Sequence, residues 1–205
     1  MEYLAQTLGI QAPTSAPVKP LRKPRGPRRE IIYKVTDPQT GAVIAEHIRT
    51  EYPEDLDPES GKPRKELFWR RNGNNDLGGL PVTDLPLYYP PSLAPPPPGS
   101  LVFLVEGEPD AEALAARGLC AFATVTGAGC NPCEQSLRVL VGLEVVVWAD
   151  ADPPGGEHME KNAATLTRLE NRPRVFLWPD APFKGAGAAD FTGGNEEILA
   201  LTQTA

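Results

Sequence analysis

Four apolar runs between residues 101 and 179, LVFLVE, CAFATV, EVVVWAD and RVFLWP, lack any polar–apolar alternation. A strand with one wet face alternates; a strand covered on both faces does not. The runs predict strands over 101–106, 120–125, 144–150 and 174–179. Helical patterns separate them. A helix over 109–117 starts on Pro109, which suits a first turn, and stops at Gly118. PCEQSLRVLVG and GGEHMEKNAATLTRLEN predict two more helices, the second with Met159, Ala163, Leu166 and Leu169 at core spacing. DFTGGNEEILALTQ ends in a fourth. Strands alternating with helices imply an α/β fold, a mainly parallel sheet flanked by helices with right-handed crossovers.

The chain upstream reads differently. EIIYKVT, AVIAEHIRTEY and KELFWRR have strand character and are separated by polar turns, which predicts a small antiparallel β-rich domain. The run PPSLAPPPPG cannot form a core element and marks a boundary near residue 99. The expected organisation is a short helix (2–9) and basic Pro-rich arm over 1–29, the β-rich domain and its Pro-rich linker over 30–99, and the α/β domain over 100–205.

Charge divides along the same boundary. Residues 1–99 carry 13 basic and 12 acidic side chains, a net of +1, whereas residues 100–205 carry 7 and 15, a net of −8. An acidic body that handles a polyanion needs cations as a bridge, and its neighbour must supply basic contacts. The arm holds Arg22, Lys23, Arg25, Arg28 and Arg29 with no acid among them, a pattern expected to track nucleic-acid phosphates. Lys65, Trp69, Arg70 and Arg71 of KELFWRR combine cations with an aromatic ring, as single-strand binding surfaces do. No apolar run approaches the ~20 residues needed to span a bilayer, and no secretory signal opens the chain, so no membrane role is expected. Three cysteines make no disulfide framework and fit a cytoplasmic protein.

VEGEPDAEAL places four carboxylates, Glu106, Glu108, Asp110 and Glu112, directly after the first apolar run. WADADPP places Asp150 and Asp152 after the third. Glu108 and Glu112 are expected merely to favour a helix N-terminal turn. Glu106, Asp150 and Asp152 stand at strand ends, where open α/β sheets carry their chemistry. Residues two apart in extended chain point the same way, so Asp150 and Asp152 are expected to face one cavity. Crowded carboxylates repel, and a hard cation such as Mg²⁺ or Mn²⁺ relieves that repulsion through oxygen ligands. TGAG is expected to form a βα turn whose backbone N–H groups, at Gly127 and Gly129, meet a phosphate at a helix N-terminus. Cys130 and Cys133 read as ordinary thiols, and His158 as a helix-surface residue.

LVEGEPDAEAL, ATVTGAG and VVVWADADPPGGEHMEKNA, in this order, resemble the TOPRIM domain of phage and plasmid primases and primase-helicases. The resemblance spans about residues 100–195, and YKVTDPQTGAVIAEHIR with KELFWRR and LPLYY resembles the segment preceding it. It implies that Glu106, Asp150 and Asp152 are catalytic and bind the metal, with Asp110 as a further acid. It implies nucleotide or phosphate contact at Gly107 and Lys184, with Asp190 in the same late loop. Some primases carry an acid directly after that lysine; here Gly185 stands there. Within the 205 residues there is no zinc ribbon and no P-loop. The implied function is DNA primase-type primer synthesis on a single-stranded DNA template by Mg-dependent nucleotidyl transfer, using nucleoside triphosphates, with a replicative helicase as a further partner. The alternatives are a Mg-dependent nuclease with the same ligands and a non-catalytic nucleic-acid-binding accessory module. Topoisomerase chemistry ranks last, because Tyr3, Tyr33, Tyr52, Tyr88 and Tyr89 all lie outside the α/β body.

Overall fold

A computed structural model describes residues 26–58, 61–127 and 129–203. The predicted helix at 2–9 and the arm residues Arg22, Lys23 and Arg25 lie outside them. The described chain forms two sheets. The first is antiparallel, in the order β1 (Arg29–Thr36), β2 (Val43–Leu56), β3 (Pro63–Arg70). The second is parallel, in the order β5-β4-β6-β7, built from β4 (Leu101–Val105), β5 (Ala121–Ala123), β6 (Glu144–Ala149) and β7 (Arg174–Leu177). Its helices are α1 (Glu108–Ala115), α2 (Glu134–Leu137), α3 (Pro153–Arg168) and α4 (Asn195–Gln203). This is the expected α/β, TOPRIM-type architecture.

The apolar runs form the strands because both faces are covered. Val102, Phe103, Leu104 and Val105 of β4 and Val145 to Ala149 of β6 are all buried. Their alternate side chains feed two separate cores. Phe103, Val105, Val146 and Trp148 enter one, with Ala111, Leu114 and Ile198. Val102, Leu104, Val145 and Val147 enter the other, with Met159 and Leu166 of α3. The first core continues into the antiparallel sheet through Tyr33, Val35 and Ala45. LPLYY joins it as well: Leu85 and Tyr88 are buried there, and Tyr88 exchanges both backbone hydrogen bonds with Ala123 on the free edge of β5.

Three expectations are corrected. The helix expected over PCEQSLRVLVG is one short helix, α2, followed by a 3-10 turn over Arg138–Leu140. His158 is not on the surface; it is 1% exposed, because α3 turns it beneath the parallel sheet's C-terminal edge. Glu108 and Glu112 do more than favour a helix end. They lie four residues apart on α1 and so share one face, and that face meets β2 and the LPLYY segment. His47 of β2 donates from Nδ1 to Glu108 Oε1 at 2.6 Å, with Glu108 only 5% exposed. The Tyr88 hydroxyl donates to Glu112. Trp69 stacks on the far face of the His47 ring, centroids 4.2 Å apart.

Removing one partner of such a buried pair leaves the other polar and unsatisfied. His47→Leu is therefore expected to cost about 3 kcal/mol. His47→Leu with Glu108→Leu should cost less than the two single changes added, since no orphan remains. Urea melts of the three variants check this; simple additivity would deny the coupling.

Candidate metal and nucleotide site

The parallel strand order creates the site. The chain leaves β4 on one side for β5 and returns on the other for β6, so a crevice opens at the C-terminal ends of β4 and β6. The register pairs Val105 with Trp148, which brings Glu106 beside the Asp150 end of β6. Glu106 Oε1 accepts the Asp150 backbone N–H at 2.9 Å. Asp110, one turn further along α1, accepts the Ala189 N–H on Oδ1 at 2.8 Å. Asp152 Oδ1 caps α3 by accepting from Gly155 N at 2.8 Å, a role beyond that expected of it. The FKGAGAAD loop is stitched beneath this acid end: Ala151 N–H donates to the Ala186 carbonyl, and Gly185 N–H to the Ala151 carbonyl.

Two glycines make the convergence possible. A Cβ on Gly187 would lie 2.6 Å from Oδ1 of both Asp110 and Asp150. A Cβ on Gly155 would lie 2.3 Å from Glu106 Oε1. Neither separation is sterically tolerable, so any side chain at either position would push the carboxylates apart.

Electrostatics follow from this crowding. Asp150 is raised to about 8, chiefly by burial, then by Asp110, Glu106 and Asp152; Lys62 opposes the shift. Burial also raises Glu106, with the Asp150 N–H opposing. Asp110 is raised by burial and by Asp190, against its Ala189 hydrogen bond. The counter-charge comes from the antiparallel sheet. Lys62, at the start of β3, reaches Asp190 Oδ2 at 3.0 Å and lies 4.5 Å from the Phe183 ring centroid. Lys65 is near enough to feel Asp150 and Asp110. Desolvation lowers its pKa, aided by Arg49 and Lys62.

Among the described residues no group of three or more His, Cys, Asp or Glu side chains forms a ready cation cage. The donor set is nonetheless all oxygen, desolvated and crowded. Carboxylate oxygens of this kind suit Mg²⁺ chemically. That ion keeps several waters and takes one or two carboxylates plus substrate phosphates.

The other expected residues are dispersed. Gly107 is the N-cap position of α1, beside Asp110. Lys184 is exposed and lines the cleft shared with Asp150 and Asp152. Gly127 and Gly129 are exposed in the loop after β5, several residues before the four-residue α2, so the premise of a long helix terminus does not hold for them. Of KELFWRR, Lys65 and Trp69 lie on the sheet face toward the α/β body. Arg70 lies on the opposite face, paired with Glu46 at 2.6 Å, and Arg71 contacts the Leu77 carbonyl. Arg28 and Arg29 are exposed. Cys120, Cys130 and Cys133 are free thiols.

Sequence reasoning missed Lys62, whose charge acts with that of Lys65 on Asp110, and Arg49, which lies near Lys65 and is paired with Glu51 at 2.6 Å. It also missed a buried support. The Thr124 hydroxyl donates to the Glu106 carbonyl at 2.9 Å, and its oxygen faces His158 Nε2 at 3.2 Å. Burial lowers the His158 pKa, with Lys161 adding to the shift.

No family model and no curated protein matches the sequence. Solved structures do match the fold. The zinc-binding and RNA polymerase domains of the Aquifex aeolicus primase align at TM-score 0.56 and 18% identity, over 92% of this chain and 43% of that one. The DnaG catalytic core aligns at 0.58 and 17%, over 85% and 52%. A DnaG primase catalytic domain bound to single-stranded DNA aligns at 0.57 and 17%, over 85% and 52%. The fold is thus shared with DnaG-type primase catalytic domains. The chain spans about half the length of these structures. Among the described residues no helix is long and apolar enough to cross a membrane.

The raised pKa of Asp150 has a signed consequence. Its folded value, about 8, exceeds the ordinary carboxylate value of 3.8, so between the two the folded state holds a proton that the unfolded state has lost. Its contribution to stability is full at acid pH and is lost as pH rises through about 8. In metal-free protein Asp150→Asn should flatten the fall in stability between pH 5 and pH 8.5. Denaturant melts in chelator check this; parallel pH profiles for parent and variant would remove Asp150 from the account.

Proposed function

We propose that this chain catalyses template-directed primer synthesis on single-stranded DNA, joining nucleotides from nucleoside triphosphates. The observation that carries the reading is the meeting of Glu106, Asp110, Asp150 and Asp152 at the ends of adjacent parallel strands, opposite cations supplied by the antiparallel sheet. The shared fold of the DnaG-type primase domains, one of them bound to single-stranded DNA, supports it. Glu106, Asp150 and Asp152 would hold Mg²⁺ or Mn²⁺, with Asp110 beside them. Bound there, the ion neutralises triphosphate charge and stabilises the transferring phosphoryl group.

The residues of the chain divide the remaining work. Thr124 and the Asp150 backbone fix the two ends of Glu106, the first through its carbonyl and the second through Oε1. Lys62, Lys65 and Arg49 offer cations to template phosphates at the edge of the acids, and Arg28 and Arg29 extend that charge along β1. Lys184 stands on the opposite rim, where a triphosphate would enter. In the reading, the phage or plasmid type of primase and the partnership with a replicative helicase follow from sequence resemblance.

The test offers single-stranded template, nucleotides and Mg²⁺, with a labelled strand alongside to detect cleavage. Template-dependent products should form, and Glu106→Gln should reduce them on the order of 10²-fold or more, as when a positioned transition-state charge is lost. Strand cleavage without incorporation would replace the synthetic reading with a nucleolytic one. Full activity in Glu106→Gln would remove the acid end from the chemistry.

A further inference from the structure

Helix α3 meets Glu106 in two places. At the carboxylate, Gly155 in its first turn leaves no room for a side chain beside Oε1. At the backbone it acts through His158 and Thr124, each 1% exposed. Thr124 follows β5, and its backbone N–H donates to the Val105 carbonyl at 3.0 Å. Its hydroxyl donates to the Glu106 carbonyl at 2.9 Å and meets His158 Nε2 at 3.2 Å. His158 stands on the same helix that Asp152 caps. One line of polar atoms thus joins the ends of β4 and β5 to α3 beneath the acids.

Packing alone does not account for this histidine. An apolar side chain would fill the same interior space at lower cost, whereas His158 Nδ1 is buried with no hydrogen-bond partner among the described residues. The other nitrogen is the one its neighbours address. Asn131 donates from Nδ2 to the His158 carbonyl at 2.9 Å and to Asn162 Oδ1 at 3.0 Å. That second bond turns the Asn162 amide nitrogen toward His158 Nε2, 3.3 Å away.

The proton count decides how the line runs. The Thr124 hydroxyl has one hydrogen, and the Glu106 carbonyl, which only accepts, takes it. Nε2 must then donate to Thr124 Oγ1, which makes His158 the Nε2–H tautomer and leaves Nδ1 as a bare lone pair. The opposite tautomer would accept from Asn162 at Nε2. It would also set that lone pair against the Thr124 oxygen and bury an Nδ1–H without an acceptor, a costly orphan.

We infer that His158 and Thr124 are positioning residues for Glu106: His158 Nε2–H donates to Thr124, Thr124 donates to the Glu106 carbonyl, and this line holds the carboxylate in place for the metal. The inference rests on the proposed metal-binding role of Glu106 and deepens it. Each hydrogen bond in such a chain polarises the next. With its carbonyl fixed through Thr124 and its Oε1 by the Asp150 N–H, Glu106 is pinned at both ends beside Asp150 and Asp152. Partners behind a metal ligand commonly set metal affinity by about 10–100-fold.

The test has a metal-free arm and a metal arm. In chelator, ¹⁵N spectra of histidine-labelled protein should show His158 as the Nε2–H tautomer. Thr124→Val, which keeps the shape and removes the hydroxyl, should convert it toward Nδ1–H, because Asn162 becomes the partner of Nε2. In the metal arm, electron paramagnetic resonance reads Mn²⁺ affinity well below each variant's melting temperature. Thr124→Val and His158→Leu should each weaken Mn²⁺ binding by about tenfold. The double change should weaken it no more than either alone, because the two act in series. Thr124→Ser keeps the hydroxyl, and the His158→Gln amide N–H stands where Nε2–H stood, so both should bind within about threefold of the parent. A role in packing alone predicts lower melting temperatures with unchanged Mn²⁺ affinity. That result, an Nδ1–H tautomer in the parent, or losses that multiply in the double variant overturns the inference. If His158→Leu fails to fold, Thr124→Val and the parent spectrum still decide. Failure of the underlying reading looks different: the parent itself binds no Mn²⁺ at millimolar concentration, which removes the metal and the positioning role together.

Discussion

The structure depends on how one short segment directs four negative charges. Glu108, Asp110 and Glu112 stand two residues apart on α1, where two residues turn about 200°, and Glu106 lies just before the N-cap Gly107. The acids therefore fall into two pairs on opposite faces. Glu108 and Glu112 turn toward His47 of β2 and Tyr88 of the LPLYY segment, which receive them. Glu106 and Asp110 turn toward the ends of β4 and β6. One pair is satisfied by hydrogen bonds and joins the two sheets. The other is concentrated with Asp150 and Asp152 and leaves repulsion that burial strengthens. The same ten residues thus dock the antiparallel sheet and charge the site, which is why the cations of that sheet arrive beside the acids.

Desolvation is the dominant cause at Glu106, Asp110 and Asp150 alike, ahead of their mutual repulsion. Burial of crowded carboxylates disfavours their charged forms, and a bound cation would relieve that cost. The loop 183–187 sharpens this by approaching so closely that a Cβ at 187 would displace the Asp110 and Asp150 carboxylates. Lys62 compensates part of the charge through Asp190 rather than by lying among the four acids.

Much of the fold was legible in the sequence, because burial on both faces writes itself as unbroken apolar runs. β4 and β6 fall within a residue of their expected ends, and the strand-end positions of Glu106, Asp150 and Asp152 follow from that alone. α3 was legible from its core spacing. What the sequence hid is non-local. His158 looked like a surface residue because its partners, Thr124 and Asn131, lie some thirty residues away. Glu108 looked like a helix-end acid because His47 lies 61 residues earlier. The i, i+4 spacing of Glu108 and Glu112 was the available signal for a second face. Lys62 sits in a polar loop whose composition gives no hint that it reaches across to Asp190.

Anomalous diffraction from crystals equilibrated with Mn²⁺ asks directly whether the acid end holds a metal. A manganese peak is expected at the C-terminal ends of β4 and β6, bonded to carboxylate oxygens of Glu106, Asp150 or Asp152 and abolished in Asp150→Asn. Crystals that order no manganese at this end of the sheet at millimolar Mn²⁺, or that bind it only elsewhere, would rule out the metal-binding role of these carboxylates.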